Sequence, residues 1–391
     1  MKSHKITLPK KFQKEMDQRN SKPLFENTYK LAIIPGDGIG PEVVAEGLKV
    51  LDAAGTKFGF KTERQSFDFG GTRYLKTGQV LSDEELIGLR AYDAIYLGAV
   101  GHPDVKPGIL ERGILLKLRF GLEQYINLRP VRLYQNVATP IKNKGPEHID
   151  YVVVRENTGD VYTGEGEIKD KGTTKEVATQ VMVYSYTQVE RCLKYAFEFV
   201  MRRHESTPWK GLSQEDKKAG YTGKLTLCGK SNVLTNVFGL WDRVMSEMTK
   251  SYPQVKCDYV HVDAMCIFLI EAPERFDVIV TTNMFGDIIT DLAAVTQGGM
   301  GVAPSGNINP KGVSMFEPVH GSAPQFMGKQ VANPIAAILT IKLMLEHLKE
   351  EKAAQAIDSA VQQVMLKMKS MLIGQMGYST DQIGDMVVAN L

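Results

Sequence analysis

The chain of 391 residues has only four cysteines, Cys192, Cys228, Cys257 and Cys266, none in C-x-x-C spacing. That scarcity excludes a disulfide scaffold and a zinc ribbon, and predicts reduced thiols in a reducing, cytoplasmic compartment. An excess of one charge is missing too: 47 Lys and Arg face 45 Asp and Glu, a formal net charge of +2. Such balance argues against a nucleic-acid or membrane-surface partner. No apolar run approaches the roughly 18 residues of a membrane span. The segment from Ile335 to Leu345, for example, is interrupted by Thr340 and Lys342. Internal repeats and low-complexity tracts are not evident.

What remains is an ordinary globular composition, 43% hydrophobic and 24% charged, at a length that favours two lobes over one small core. The first 30 residues hold eight Lys or Arg against three Asp or Glu and lack a dense apolar periodicity. Residues 1–29 therefore read as a polar surface extension, because Glu15, Asp17 and Glu26 spoil the acid-poor pattern of a transit peptide. Short β-rich runs then alternate with helical patterns: YKLAIIPG, YDAIYLGAVG, DYVVVREN, KLTLCGKSN, CDYVHVDAM and FDVIVTTNMFGD. This alternation predicts an α/β protein with much parallel sheet. The polar stretch 204–224 reads as a surface insertion between a helix and the next strand.

LAIIPGDGIGPEVV, residues 31–44, ends a strand in alternating glycines ahead of a helix, as a dinucleotide fingerprint would. Neither frame closes. Counting from Gly36 puts Pro41 where the third glycine belongs, and counting from Gly38 puts Val43 there. Pro41 instead suits a first helical position, with Val44, Leu48 and Leu51 repeating at helical spacing behind it.

Arg155, Lys230, Asp263 and Asp287 each fall at or just past the C-terminal end of a β-rich run. Open α/β sheets bind ligands there, so four charged residues in equivalent places predict one pocket, although chance explains any one alone as well. Asp287 and Asp291 lie four apart on a predicted helix whose Ile288, Leu292 and Val295 form an apolar stripe. Alone the acids read as a solvated face. At a strand end, with Asp263 as a third oxygen ligand, they suit magnesium or manganese. Arg119, Arg129 and Arg155 would clamp a substrate bearing more than one carboxylate, surface ion pairing being the plainer alternative. Lys230 is a candidate general base, and Tyr162, in a glycine-bounded loop, a candidate proton donor. His320, Gly321, Ser322 and Ala323 form a small-residue loop that either lets backbone N–H groups approach a phosphate or adenine, or is an ordinary turn.

In order and combination, GDGIGPE, LRFGLEQYINLRP, VVVREN, GKSNVL, VDAM, NMFGDIITDLA and FEPVHGSAP followed by ANP resemble the β-decarboxylating dehydrogenases. This is the family of isocitrate, 3-isopropylmalate, homoisocitrate, tartrate and D-malate dehydrogenases, and the likeness runs from about Leu31 to the C-terminus. It implies a two-lobed isocitrate/isopropylmalate dehydrogenase-like fold that is not a true Rossmann domain. Residues 30–124 and 298–391 would form the cofactor-binding lobe, and residues 125–297 the substrate and dimerisation lobe. The resemblance implies a homodimer with shared active sites, Lys230 and Asp263 reaching into the partner's site. Arg119, Arg129 and Arg155 would hold the substrate carboxylates, and Mg²⁺ or Mn²⁺ would sit on Asp287, Asp291 and Asp263. Lys230 would take the hydroxyl proton while hydride passes to NAD, and Tyr162 would help protonate the carbon left by CO₂. Glu317, His320, Gly321, Ser322, Ala323, Gln325, Phe326, Asn333 and Asn232 would border the cofactor.

Glu111 to Leu116, ERGILL, decides the substrate in this resemblance. Leu115 and Leu116 offer an apolar wall for an isopropyl group, which points to 3-isopropylmalate and leucine biosynthesis, with D-malate or tartrate as the alternative. At the position where NAD-using relatives carry Asp and NADP-using ones Lys-Tyr, this chain has Gln325-Phe326. That pair implies NAD with weakened discrimination. A non-catalytic regulatory copy is the rival from another class; such a copy should have lost members of the Lys, Tyr and Asp set, and all are present.

Overall fold

The computed structural model describes residues 27–391. Most of the N-terminal extension lies outside these residues, but Asn27–Tyr29, assigned to it from sequence, already belong to the first strand. The strands are β1 (Asn27–Gly36), β2 (Phe60–Ser66), β3 (Ala94–Ala99), β4 (Ile126–Arg132), β5 (Asp150–Glu156), β6 (Gly166–Lys169), β7 (Val177–Gln180), β8 (Gly223–Gly229), β9 (Val255–His261), β10 (Val278–Thr281), β11 (Pro304–Ile308) and β12 (Ser314–Pro318). β6 and β7 pair as a separate antiparallel ribbon, and the other ten form one sheet in the order β2-β1-β3-β12-β11-β4-β5-β10-β8-β9. β1, β2, β3 and β12 run parallel to one another, as do β5, β8, β9 and β10. Antiparallel pairing of β11 with β12 and β4, and of β4 with β5, joins the two sets. The α/β expectation with much parallel sheet holds.

The six β-rich runs all contain strands, while β2, β4, β11 and β12 of the main sheet, and the β6–β7 ribbon, lie outside them. Their signal is weak for physical reasons. FKTERQS is an edge strand dominated by polar residues, and β4, β11 and β12 each contain proline. Pro130 and Pro304 each lie two residues beyond Gly306–Leu128, the pair at which the β4–β11 ladder stops. Neither has an N–H to extend it.

Five helices matter for the site: α1 (Gly40–Phe58), α2 (Tyr186–Arg203), α3 (Val262–Glu271), α4 (Asn283–Thr296) and α5 (Ile335–His347). Pro41 stands at the start of α1, and Gly59 ends that helix in the left-handed conformation, with φ 82°. α5 is buried almost all round, and Leu31–Ile34 of β1 are buried as the continuous apolar run of a covered central strand should be. On α4 the apolar stripe is divided: Leu292 packs partly against the core, Ile288 and Val295 are 50% and 49% exposed, and Ile289, Ala293 and Ala294 form the buried face. The 204–224 insertion is also more than surface, since Trp209 and Leu212 are buried.

Candidate active site

β5 brings Arg155 to its C-terminal end, level in register with Thr281 of β10, and α4 follows β10 directly. Asp287, one turn into α4, therefore faces Arg155. Arg155 Nη1 donates to Asp287 Oδ1, and the Tyr162 hydroxyl donates to Asp287 Oδ2 at 2.8 Å. Burial pushes the Asp287 carboxyl up, but the Arg155 charge and the Tyr162 hydrogen bond outweigh it and hold the carboxyl below its ordinary range. Asn283, at the start of α4, accepts from Arg155 Nε at 3.0 Å and Nη2 at 2.7 Å through its one amide oxygen. Tyr162 lies on a short 3₁₀ turn, Asp160–Thr163. Buried Asp160, at φ 73°, fixes that turn to α4 by accepting the Met284 N–H at 2.9 Å.

Arg119 and Arg129 complete the cationic wall. Arg119 donates to Glu317 at 3.1 Å, and its Nε is buried without a partner. Arg129 gives its Nε to Asn127 Oδ1 at 2.8 Å, and its Nη1 is likewise buried and unpaired. Burial, followed by the charge of Arg155, pushes the Arg129 guanidinium down to about 10. Asp291 makes no hydrogen bond or ion pair among the described residues. Burial, then the neighbouring Asp287 charge, pushes its carboxyl up. Two carboxylates on one helix face, one unpaired and disfavoured as an anion, fit a hard divalent cation.

The third predicted metal ligand is elsewhere. Lys230, just past β8, donates to Asp263 at 2.7 Å, and that hydrogen bond holds the Asp263 carboxyl low. No hydrogen bond or ion pair joins this couple to Arg155, Asp287 or Tyr162, and no group of three metal-ligating side chains occurs among the described residues. The single pocket expected from four strand ends is thus two separate pairs within one chain. The register explains it: Arg155 and Cys228 flank Thr281 on either side, so Lys230 starts two strand spacings away, about 10 Å.

The glycines of GDGIG serve backbone packing. A Cβ on Gly36 would lie 1.8 Å from the Ala99 oxygen, and one on Gly38 1.9 Å from the Ser322 oxygen, at φ +72° and +59°. The Ile39 N–H donates to Ser322 O at 2.8 Å, which seats the His320–Ala323 loop on this turn. Asp37, buried between them, accepts from the N–H groups of Gly71 and Gly101. In that loop Gly321 is exposed, and Ala323 adopts a left-handed conformation with φ 39°. His320 Nε2 is buried without a partner, and burial lowers the imidazole below its ordinary range. An orphaned buried ring nitrogen beside exposed Gly321 fits a nucleotide edge. Gln325 is exposed on the next turn, and Phe326 packs partly against the core. Asn232 is exposed after β8. Asn333 is engaged with Met371 O at 3.0 Å and the Ile335 N–H at 3.1 Å, and Glu317 with Arg119 and Asn307.

Glu111–Leu116 winds as a π-helix that continues into an α-helical turn, Lys117–Gly121. Leu110, Ile114, Leu118 and Leu122, all buried, recur at every fourth residue along this stretch. Ile114 is the core residue here. Leu115 and Leu116 are half-buried, and Leu115 stands four residues before Arg119. Glu111 is exposed and accepts the Gly108 N–H at 2.8 Å.

This arrangement, of arginines facing a helix that carries two carboxylates, is that of a dehydrogenase acting on small organic acids. The chain belongs to the isocitrate/isopropylmalate dehydrogenase family, whose model matches residues 30–387. It is 52% identical over 336 residues to the 3-isopropylmalate dehydrogenase of Thermobifida fusca, covering 85% of this chain and 90% of that one. With the 3-isopropylmalate dehydrogenase of Streptomyces coelicolor it shares 50% identity over 373 residues, 94% of this chain and 99% of the other. The crystal structure of isocitrate dehydrogenase from Methylococcus capsulatus superposes with a TM-score of 0.77 at 33% identity, covering 93% of this chain and 99% of that one.

Asn127, Asn283, Asn307 and Asp160 are absent from the residues that sequence singles out. A weak signal exists for two of them, because asparagine is depleted in strands and yet Asn127 and Asn307 interrupt YINLRP and PSGNI.

Proposed function

We propose that the chain catalyses the NAD-dependent oxidative decarboxylation of 3-isopropylmalate to 4-methyl-2-oxopentanoate, a step of leucine biosynthesis. The observation that carries this reading is the pair of buried, unpartnered guanidinium donors on Arg119 and Arg129, beside the Arg155–Asp287–Tyr162 cluster. Buried donors without acceptors are costly unless a ligand supplies them, and a substrate with two carboxylates supplies both. Asp287 and Asp291 would hold Mg²⁺ or Mn²⁺ together with Asp263 of the partner subunit, and the His320–Ala323 loop, Gln325 and Phe326 would border NAD. When bound, the cation would supply Lewis-acid polarisation of the substrate oxygen and NAD a hydride acceptor. The residues do the rest. The arginines fix both carboxylates, the partner's Lys230 removes the hydroxyl proton, and Tyr162 returns a proton to C3 once CO₂ has left. Leu115 and Leu116 bury the isopropyl group.

The shared site requires a second copy of the chain. Ile267 on α3 is 54% exposed, and on the adjoining α4 Ile288 and Val295 expose about half their surface. An apolar face of this kind, continuous with Asp263 on α3, suits a twofold helix-to-helix contact. Residues 30–124 with 298–391, and 125–297, are its two lobes. No helix among the described residues is long and apolar enough to cross a membrane, and a cytoplasmic location accords with four free cysteines. The test is a turnover screen of 3-isopropylmalate, D-malate, tartrate, isocitrate and homoisocitrate with NAD and NADP. The highest kcat/KM is expected for 3-isopropylmalate with NAD; a higher value for any other acid overturns the assignment.

A further inference from the structure

Arg119 and Arg129 are held very differently. Arg119 is ion-paired to Glu317, whereas Arg129 makes no ion pair among the described residues and donates to Asn127 Oδ1. The acceptor end of Asn127 is not free to turn. Its Nδ2 donates to Ser305 Oγ at 3.1 Å and to Asn307 Oδ1 at 3.0 Å. The orientation of Asn307 is set in turn, because its Nδ2 donates to Glu317 Oε1 at 2.8 Å, and Asn157 adds a second donor to its oxygen at 3.0 Å. Asn127, Asn307 and Ser305 are fully buried. Asn127 and Asn307 are also direct register partners across β4 and β11.

We propose that Asn307 and Asn127 are positioning residues that transmit the direction of the Glu317 carboxylate to Arg129. Glu317 thus orients two arginines, one by its own charge and the other through two amides. A carboxylate beside Arg129 would fix the guanidinium equally well but would neutralise it. A neutral amide oxygen fixes the Nε side and leaves the full positive charge, with the buried Nη1, for an incoming carboxylate. This rests on the diacid substrate proposed above.

The test uses the full-length protein and compares wild type with Asn127→Asp, Asn127→Thr and Asn307→Leu. Asn127→Asp supplies an acceptor that also cancels the charge. It should raise KM for the diacid at least tenfold and leave KM for NAD within twofold. Asn127→Thr keeps a neutral acceptor and should stay within about threefold of the wild-type diacid KM. Asn307→Leu cuts the relay without touching any arginine, and should raise the diacid KM about fivefold. A wild-type diacid KM in Asn127→Asp overturns the relay; should that variant not fold, a wild-type KM in Asn307→Leu overturns it. A wild-type protein inactive on all the acids refutes the proposed function instead, so the two failures are distinguishable.

Discussion

Tyr162 and Asp287 share a 2.8 Å hydrogen bond in which the phenol donates, so one carboxylate is tied to the proposed proton donor and to buried Arg155 together. Lys230 has no part in that contact and pairs with Asp263 instead. The separation of these two couples within one chain makes the shared site directly testable.

Lys230→Met and Asp287→Asn should each lose at least 10²-fold in kcat as pure variants, as expected for a base and a ligand acting in the transition state. Mixed and refolded in equal amounts, they should regain about a quarter of wild-type activity. Half the dimers are then mixed, and each mixed dimer has one intact site in twofold assembly. Steady-state rates after mixing check this; no recovery would place Lys230 in its own chain's site.

The apolar wall predicts a selective loss. Replacing Leu115 and Leu116 together with alanine should lower kcat/KM for 3-isopropylmalate about 10- to 100-fold, the effect of a few lost methylene contacts. D-malate, which has no group to fill the space, should lose less than threefold. Equal losses would mean that both leucines only pack the half-buried face of the π-helical segment.

Gln325 is exposed beside the proposed ribose site and carries no charge of either sign. NAD should be preferred over NADP, but by less than a carboxylate at that position would enforce. Gln325→Asp should widen the ratio of kcat/KM values at least tenfold by repelling the 2′-phosphate. A wild-type preference for NADP would refute the premise.

His347 packs against the Phe316 ring at 5.4 Å, and burial, then Lys349 and Arg202, push its imidazole down to about 4. Because the folded state favours the neutral ring, this histidine's stabilisation is complete above its ordinary pKa near 6.5. It is lost as pH falls towards 4. After discounting for solvent screening, the loss at pH 5 is about 1 kcal/mol. His347→Leu should therefore flatten the fall in melting temperature between pH 7 and pH 5, measured by calorimetry. An unchanged fall would assign the acid sensitivity to other groups.

Much of the site could be read from the chain because its charged residues follow strands directly. Arg155, Lys230, Asp263 and Asp287 each occupy the end of a β-rich run or the first turns after it. Asn127 and Asn307 could not be read in this way. Their meeting depends on the register between β4 and β11, set 180 positions apart by backbone pairing. Which face of α4 lies inward was not legible either. Helical periodicity reports that a face is apolar, but both sides of α4 carry apolar residues, and the smaller Ala293 and Ala294 fit the closer contact inside. The π-helical winding of ERGILL was equally invisible, since the same letters suit an α-helix.

β3 lies between β1 and β12 in the sheet, and more than two hundred residues separate its end from the start of β12. A ribosome adding about 5–20 residues per second finishes β3 roughly ten to forty seconds before β12 exists. During that interval the strand AIYLGA has an open hydrogen-bonding edge, while β4, β5, β8, β9 and β10 emerge and can pair among themselves. Vectorial synthesis therefore completes the middle of the sequence first and leaves the first-made strands waiting. The β3 edge is the surface of the nascent chain most in need of shielding.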